Sequence, residues 1–177
     1  IMVSSNFVPW FYGGGFDKVA DLLKILAFLI LAIGINNVTG MQYLIPTKRQ
    51  NTFTFTVIIG ACVNFIMNFI LIKYFQSVGA AIASVTAETI ITIVQLFIVR
   101  KELNPVKILK EGNNYYIAGV LMTSMLFFAG REFTPSIIHT TLLVVIGAIA
   151  YLGILYILKD EFLLSNTEKI LQKLKIK

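Results

Sequence analysis

Long apolar runs, broken at short intervals by polar and basic clusters, organise this chain. A helix needs about 20 mostly apolar residues to cross a hydrocarbon core. Runs over 19–43, 53–73, 79–99, 115–129 and 140–158 predict five such helices, the fourth of them short. Residues 1–10 read as the end of a further helix whose start lies upstream, so the chain is expected to be the carboxy-terminal part of something longer. Within the spans, polar and small residues recur at helical spacing. Thr56, Gly60, Asn64 and Asn68 follow at every fourth position and wind as one stripe along the second span. In the third, Gly79, Ala83 and Ala87 make a small-residue ladder, while Ala81, Ser84, Glu88 and Gln95 share a neighbouring face. The first span carries Lys24 about one turn from its outer end and crowds Asn36, Asn37, Thr39 and Gln42 at the other.

Such residues are expensive at membrane depth, where a central carboxylate costs about 2.5 to 3.5 kcal/mol or more, so they face protein or a watery cavity. Two readings of the Asn64 and Asn68 stripe stay open. Small residues that let helices approach, with Asn bonding across, would make it glue between helices; otherwise it lines a cavity. Glu88, near the middle of its span, is suited to take a proton or a sodium ion, to pair with a substrate group, or to accept a hydrogen bond from Asn64 or Asn68. Lys24 can snorkel outward on its four-carbon stem. The Asn36, Asn37, Thr39 and Gln42 groups cannot all face lipid without unmet hydrogen bonds. The last two spans carry Thr123, Ser124 and Thr141 but no buried charge, and read as peripheral.

Composition narrows the class. Hydrophobic residues make up 57% of the 177, well above a soluble domain's share, and imply an integral membrane protein. One cysteine, Cys62, and one histidine, His139, exclude an internal disulfide and a Cys/His zinc cluster and give catalysis little to work with. No cofactor or metal is expected. The net charge of +6 does not form a nucleic-acid footprint; it lies in short loops and at the tail. Lys48, Arg49, Arg100, Lys101, Lys107, Lys110, Lys159, Lys169, Lys173, Lys175 and Lys177 fall on one side, against Lys18, Lys24, Lys73 and Arg131 on the other. The positive-inside rule then puts the richer side and the C-terminus in the cytoplasm of a multi-pass protein of the cell membrane.

Smaller signals complete the picture. Asn104 before Pro105 predicts a capped short helix through Lys110, ended by Gly112. Ser165 and Glu168 have capping-box spacing, and beyond them Ile170, Leu171 and Leu174 form an apolar stripe beside Lys169, Lys173 and Lys177. That tail suits a helix lying on anionic headgroups, or a partner-binding helix. Gly13, Gly14 and Gly15 lack the Lys-Ser/Thr of a phosphate loop and read as an outward turn. Asn37-Val38-Thr39 fits the glycosylation pattern but lies inside a span and is dismissed.

Phe11-Tyr12-Gly13-Gly14-Gly15-Phe16, then Gln42-Tyr43-Leu44-Ile45-Pro46-Thr47-Lys48, then Asn64 and Asn68, then Gly79-Ala80-Ala81-Ile82-Ala83-Ser84 with Glu88, occur in an order that resembles the second half of Wzx-like polysaccharide flippases. These belong to the multidrug/oligosaccharidyl-lipid/polysaccharide exporter superfamily. The resemblance covers residues 7–102; beyond 110 only the hydropathy agrees. It implies an all-α, polytopic transmembrane bundle: 1–10 the end of a truncated helix, 11–103 three helices closing the second lobe of a two-lobed transporter, and 104–177 two extra helices with short interfacial helices and a tail. It further implies alternating access that moves a polyprenyl-pyrophosphate-linked oligosaccharide between leaflets, with no covalent chemistry. The expected partners are that lipid-linked substrate, membrane lipid, the upstream lobe, and a proton or sodium ion for coupling. Glu88, Asn64, Asn68, Gln95, Lys24, Asn36, Asn37 and Gln42 are the candidate cavity or coupling residues. Competing readings are a drug or cation antiporter of the same superfamily, a non-transporting scaffold of a polysaccharide-assembly complex, and a membrane-embedded glycosyltransferase. The last is poorly served by Asp17, Asp21 and Glu132, which form no close pair.

Overall fold

A computed structural model describes residues 3–130 and 133–175, and these are helical throughout, with no strand among them. The order is α1 (Ser4–Phe11), α2 (Asp17–Asn36), a π-helix (Asn37–Leu44) that continues α2 without a break, α3 (Gln50–Val99), α4 (Pro105–Glu111), α5 (Asn113–Ala129), α6 (Ile137–Ile157) and α7 (Glu161–Lys175). Three of these stretches, Asp17–Leu44, Gln50–Val99 and Ile137–Ile157, are long and apolar enough to cross a membrane. The 50-residue α3 is two spans in one, because Gln76 (φ 51°, ψ −126°) breaks the helical path. Its limbs, 50–75 and 77–99, correspond to the second and third expected spans. The short fourth expected span coincides with the 17-residue α5, which is not among those three stretches.

The chain forms two compact units, one of residues 12–107, the other of α1 with the chain from 108 onward. In the first, the limbs of α3 fold back on each other about Gln76. Gln95 bonds Thr56, Gly60 lies against Ile91, and a Cβ on Gly79 would run into the Leu71 backbone. These pairs keep nearly the same sum of residue numbers, which is the register of an antiparallel hairpin. Small residues permit the approach: Gly60, Gly79, Ala83 and Ala87 are all buried. Helix α2 and the π-helix lie parallel to the second limb. The hydroxyl of Thr92 donates to the Ala32 carbonyl at 2.9 Å, and Thr39 meets Gln95. Outward-facing Ile30, Phe69 and Phe97 are exposed, an apolar surface suited to lipid and too continuous for water.

In the second unit, Trp10 Nε1 donates to Thr140 Oγ1 at 2.7 Å, tying α1 to α6, and Gly147 of α6 admits the Leu126 side chain of α5. Asn104 accepts from the Val106 amide at 3.0 Å and caps α4 as expected. The tail differs. Helix α7 starts at Glu161, not near Ser165, because buried Asp160 caps it instead. Its Oδ1 accepts from the Leu163 amide and from the Tyr115 hydroxyl, both at 3.1 Å. Ser165 therefore lies inside the helix. The side chains of Glu168, Ile170, Leu171, Lys173 and Leu174, with Lys177, and the loop residues Arg131 and Glu132, lie outside the described residues.

Candidate functional site

The polar residues of the first unit sort into rungs. Glu88, Gln95 and Glu102 are seven apart in α3 and just beyond it, a spacing that returns to nearly the same helix face. Each meets a partner from the preceding helix: Asn36, Thr39 and Tyr43 respectively.

The middle rung is closed. Gln95 is fully buried; its Oε1 accepts from Thr39 Oγ1 at 2.6 Å and its Nε2 donates to Thr56 Oγ1 at 3.0 Å. One side chain thus joins the π-helix and both limbs of α3. Both threonine hydroxyls also have backbone carbonyls in reach, Ile35 for Thr39 and Phe53 for Thr56. Expected as a cavity or coupling residue, Gln95 is placed as a clamp inside the bundle.

The lowest rung lies at the end that carries the basic residues. Glu102 Oε2 accepts from the Tyr43 hydroxyl at 2.7 Å and from Arg49 Nη1 at 2.6 Å. The hydrogen bond from Tyr43, aided by the Arg49 charge, holds the Glu102 carboxyl below its ordinary value of 4.5. The elbow between the π-helix and α3, where Lys48 takes φ 61°, is fastened this way to the end of α3. Sequence reasoning missed the cluster. The seven-residue step from Glu88 through Gln95 to Glu102 was the available signal.

The upper rung is open. Asn36 Nδ2 donates to Glu88 Oε2 at 3.2 Å, so among the described residues Glu88 takes its hydrogen bond from Asn36 and not from Asn64 or Asn68. Those two pair with each other: Asn68 Nδ2 donates to Asn64 Oδ1 at 2.7 Å, which leaves Asn68 Oδ1 buried without a partner among the described residues. Glu88, Asn64, Asn68 and Ser84 share a groove of about 560 Å³ whose lining is otherwise apolar, with Leu29 and Ile33 contributed by α2. The Thr56, Gly60, Asn64 and Asn68 stripe therefore divides along its length. Thr56 is sealed between helices, Gly60 is buried at the floor of the groove, and Asn64 and Asn68 are half-buried along it.

The remaining candidates lie elsewhere. Lys24 pairs with Asp21 Oδ1 at 3.0 Å, one turn away on α2, with both side chains well exposed. Of the amide cluster at the end of the first span, Asn36 and Thr39 turn inward. Asn37 and Gln42 are exposed on the π-helix, where Gln42 Nε2 donates to Asn37 Oδ1 at 3.1 Å.

No cluster of His, Cys, Asp and Glu suited to a metal occurs among the described residues. Fold and groove define the class: a polytopic helical membrane protein with a largely apolar recess between its spans that holds a few polar groups. Among curated proteins, the chain is similar to the "Putative O-antigen transporter" of Escherichia coli (strain K12), with 28% identity over 88 residues. That match covers 50% of this chain and 21% of the relative, so the chain spans about a fifth of that protein's length. No family model matches the chain, and no solved structure does.

Proposed function

We propose that this chain is part of the second lobe of a membrane transporter that moves a polyprenyl-pyrophosphate-linked oligosaccharide across the cytoplasmic membrane for surface-polysaccharide synthesis. The observation that carries this reading is the groove. Glu88, Asn64, Asn68 and Ser84 line an open recess between spans, where a mere scaffold would enclose such groups within packed helices. Two amides and a hydroxyl accompany the one carboxylate on its polar side, which suits the hydroxyl-rich sugar part of such a cargo. The likeness to a protein named as an O-antigen transporter points the same way, as does the sparse catalytic equipment of one His and one Cys.

In this reading the groove is one wall of a cavity completed by an upstream lobe, and the two lobes rock about it in alternating access. The basic elbow at Lys48 and Arg49 and the C-terminus lie in the cytoplasm. Glu88 couples the cycle by exchanging a proton or a sodium ion as its hydrogen bond from Asn36 is made and broken. Deleting the complete gene is expected to abolish surface-polysaccharide export, and the wild-type gene to restore it. Glu88→Gln at normal protein level is expected to lower export about tenfold, the scale of one charge-assisted hydrogen bond. Normal export in the deletion strain overturns the transporter reading. Normal export by Glu88→Gln across pH excludes an ionisable role for that residue alone.

A further inference from the structure

The geometry points to Asn37 and Gln42 as a paired-amide site that hydrogen-bonds sugar hydroxyls of the cargo as it passes the end of the first span. This assignment rests on the transporter reading above and extends it to a surface outside the groove.

The π-helix assembles the pair. Residues five apart in an α-helix are rotated by about 140° from each other and cannot meet. In a π-helix, whose wider turn carries backbone bonds between residues five apart, they return to one face of the helix. Gln42 Nε2 reaches Asn37 Oδ1 at 3.1 Å for that reason. π-Helices appear mostly as single-turn bulges, frequently at functional sites; this one runs eight residues, Asn37–Leu44.

Position supplies the second argument. Both amides are exposed although they lie within the apolar stretch Asp17–Leu44. Their mutual bond leaves the two N–H donors of Asn37, the second N–H of Gln42 and the carbonyl acceptor of Gln42 unused among the described residues, and at the end of a 28-residue stretch, longer than the ~20 residues that cross the hydrocarbon, these groups are open to a ligand. The inward needs of the same turn are already met by other residues, Asn36 on Glu88 and Thr39 on Gln95. Asn37 also follows Leu29 and Ile33, which edge the groove, at four-residue steps along the same helix face. Asn37 therefore continues, toward the basic end, the helix face that gives Leu29 and Ile33 to the groove. Adjacent donors and an acceptor, fixed on a helix and carrying no charge, match neighbouring hydroxyls of a sugar ring and not a pyrophosphate.

The test uses the complete transporter with Cys62→Ser as background. Asn37→Cys and Gln42→Cys are expected to react with a membrane-impermeant thiol reagent in open vesicles, whereas Ile30→Cys, on the lipid-facing surface, stays unreactive. Purified lipid-linked oligosaccharide is expected to slow labelling at 37 and 42. Failure to label, or labelling that the oligosaccharide leaves unchanged, overturns the assignment. In cells, the double variant Asn37→Leu with Gln42→Leu is expected to keep its protein level and thermal stability while export falls about tenfold, the worth of two neutral hydrogen bonds. A stability loss with unchanged export per molecule would instead make the pair a helix contact. Export that survives in this variant but fails on gene deletion sinks the amide site and leaves the transporter reading standing.

Discussion

Gln95 is fully buried with its amide oxygen and nitrogen both engaged, by Thr39 and Thr56. Replacing it with Leu is expected to lower stability by about 1 kcal/mol, the usual scale of a hydrogen bond between membrane helices. The loss stays modest because each threonine keeps its own carbonyl acceptor. Gln95→Glu should cost more, since a carboxylate cannot donate to Thr56 and is costly at that depth. Thermal unfolding of the purified protein in detergent, comparing the two variants with wild type, checks the order; a Leu variant less stable than the Glu variant would contradict it. At this scale the sequence revealed which side chains need shelter from lipid but not who shelters them. Glu88 and Gln95 share a face by spacing alone, yet one lines the groove and the other is sealed, because Gly40 lets the Phe53 ring and Gln95 approach within about 3 Å of where its Cβ would be.

Among the elements, the α3 hairpin depends most on residue size. At Gly79 the obstacle to a side chain is the Leu71 backbone, which cannot swing aside as the Ile91 side chain could at Gly60. Gly79→Val is expected to destabilise the hairpin by about 1 to 3 kcal/mol, as overpacking does, and Gly60→Ala by less. Denaturation of both variants in one detergent gives the comparison, and equal losses would contradict it. The spans themselves were legible, because a run of apolar residues needs only counting. The π-helix was not. In a stretch this apolar, a change in residues per turn moves no polar residue into view except Asn37 and Gln42, whose five-residue spacing looks like scatter on an α-helical wheel. The start of α7 was equally hidden: Ser165 and Glu168 match the capping box, but Asp160 is buried and bonded to Tyr115 from far along the chain, which local spacing cannot foresee.

On the scale of the molecule, each unit has few buried large side chains and many exposed apolar ones, so solvent-driven collapse into a water-excluding core contributes little. Helix-to-helix fit and buried polar bonds hold such units together instead, and that is why Gly60, Gly79, Gln95 and Thr140 matter beyond their size. The reversal at Gln76 has a consequence for biogenesis. Limb 77–99, entering the bilayer alone, would offer Glu88 and Gln95 to hydrocarbon, a partition penalty of a few kcal/mol. Emerging from the ribosome behind limb 50–75, it meets Thr56 as it leaves the translocon. A glycosylation-mapped insertion assay in microsomes is therefore expected to find 77–99 poorly integrated alone and well integrated as part of 50–99. Equal integration would show that the limbs enter one by one. The tight turn thus makes the two limbs a single unit of membrane entry, with Gln95 of the second limb handed to Thr56 of the first before lipid can reject it.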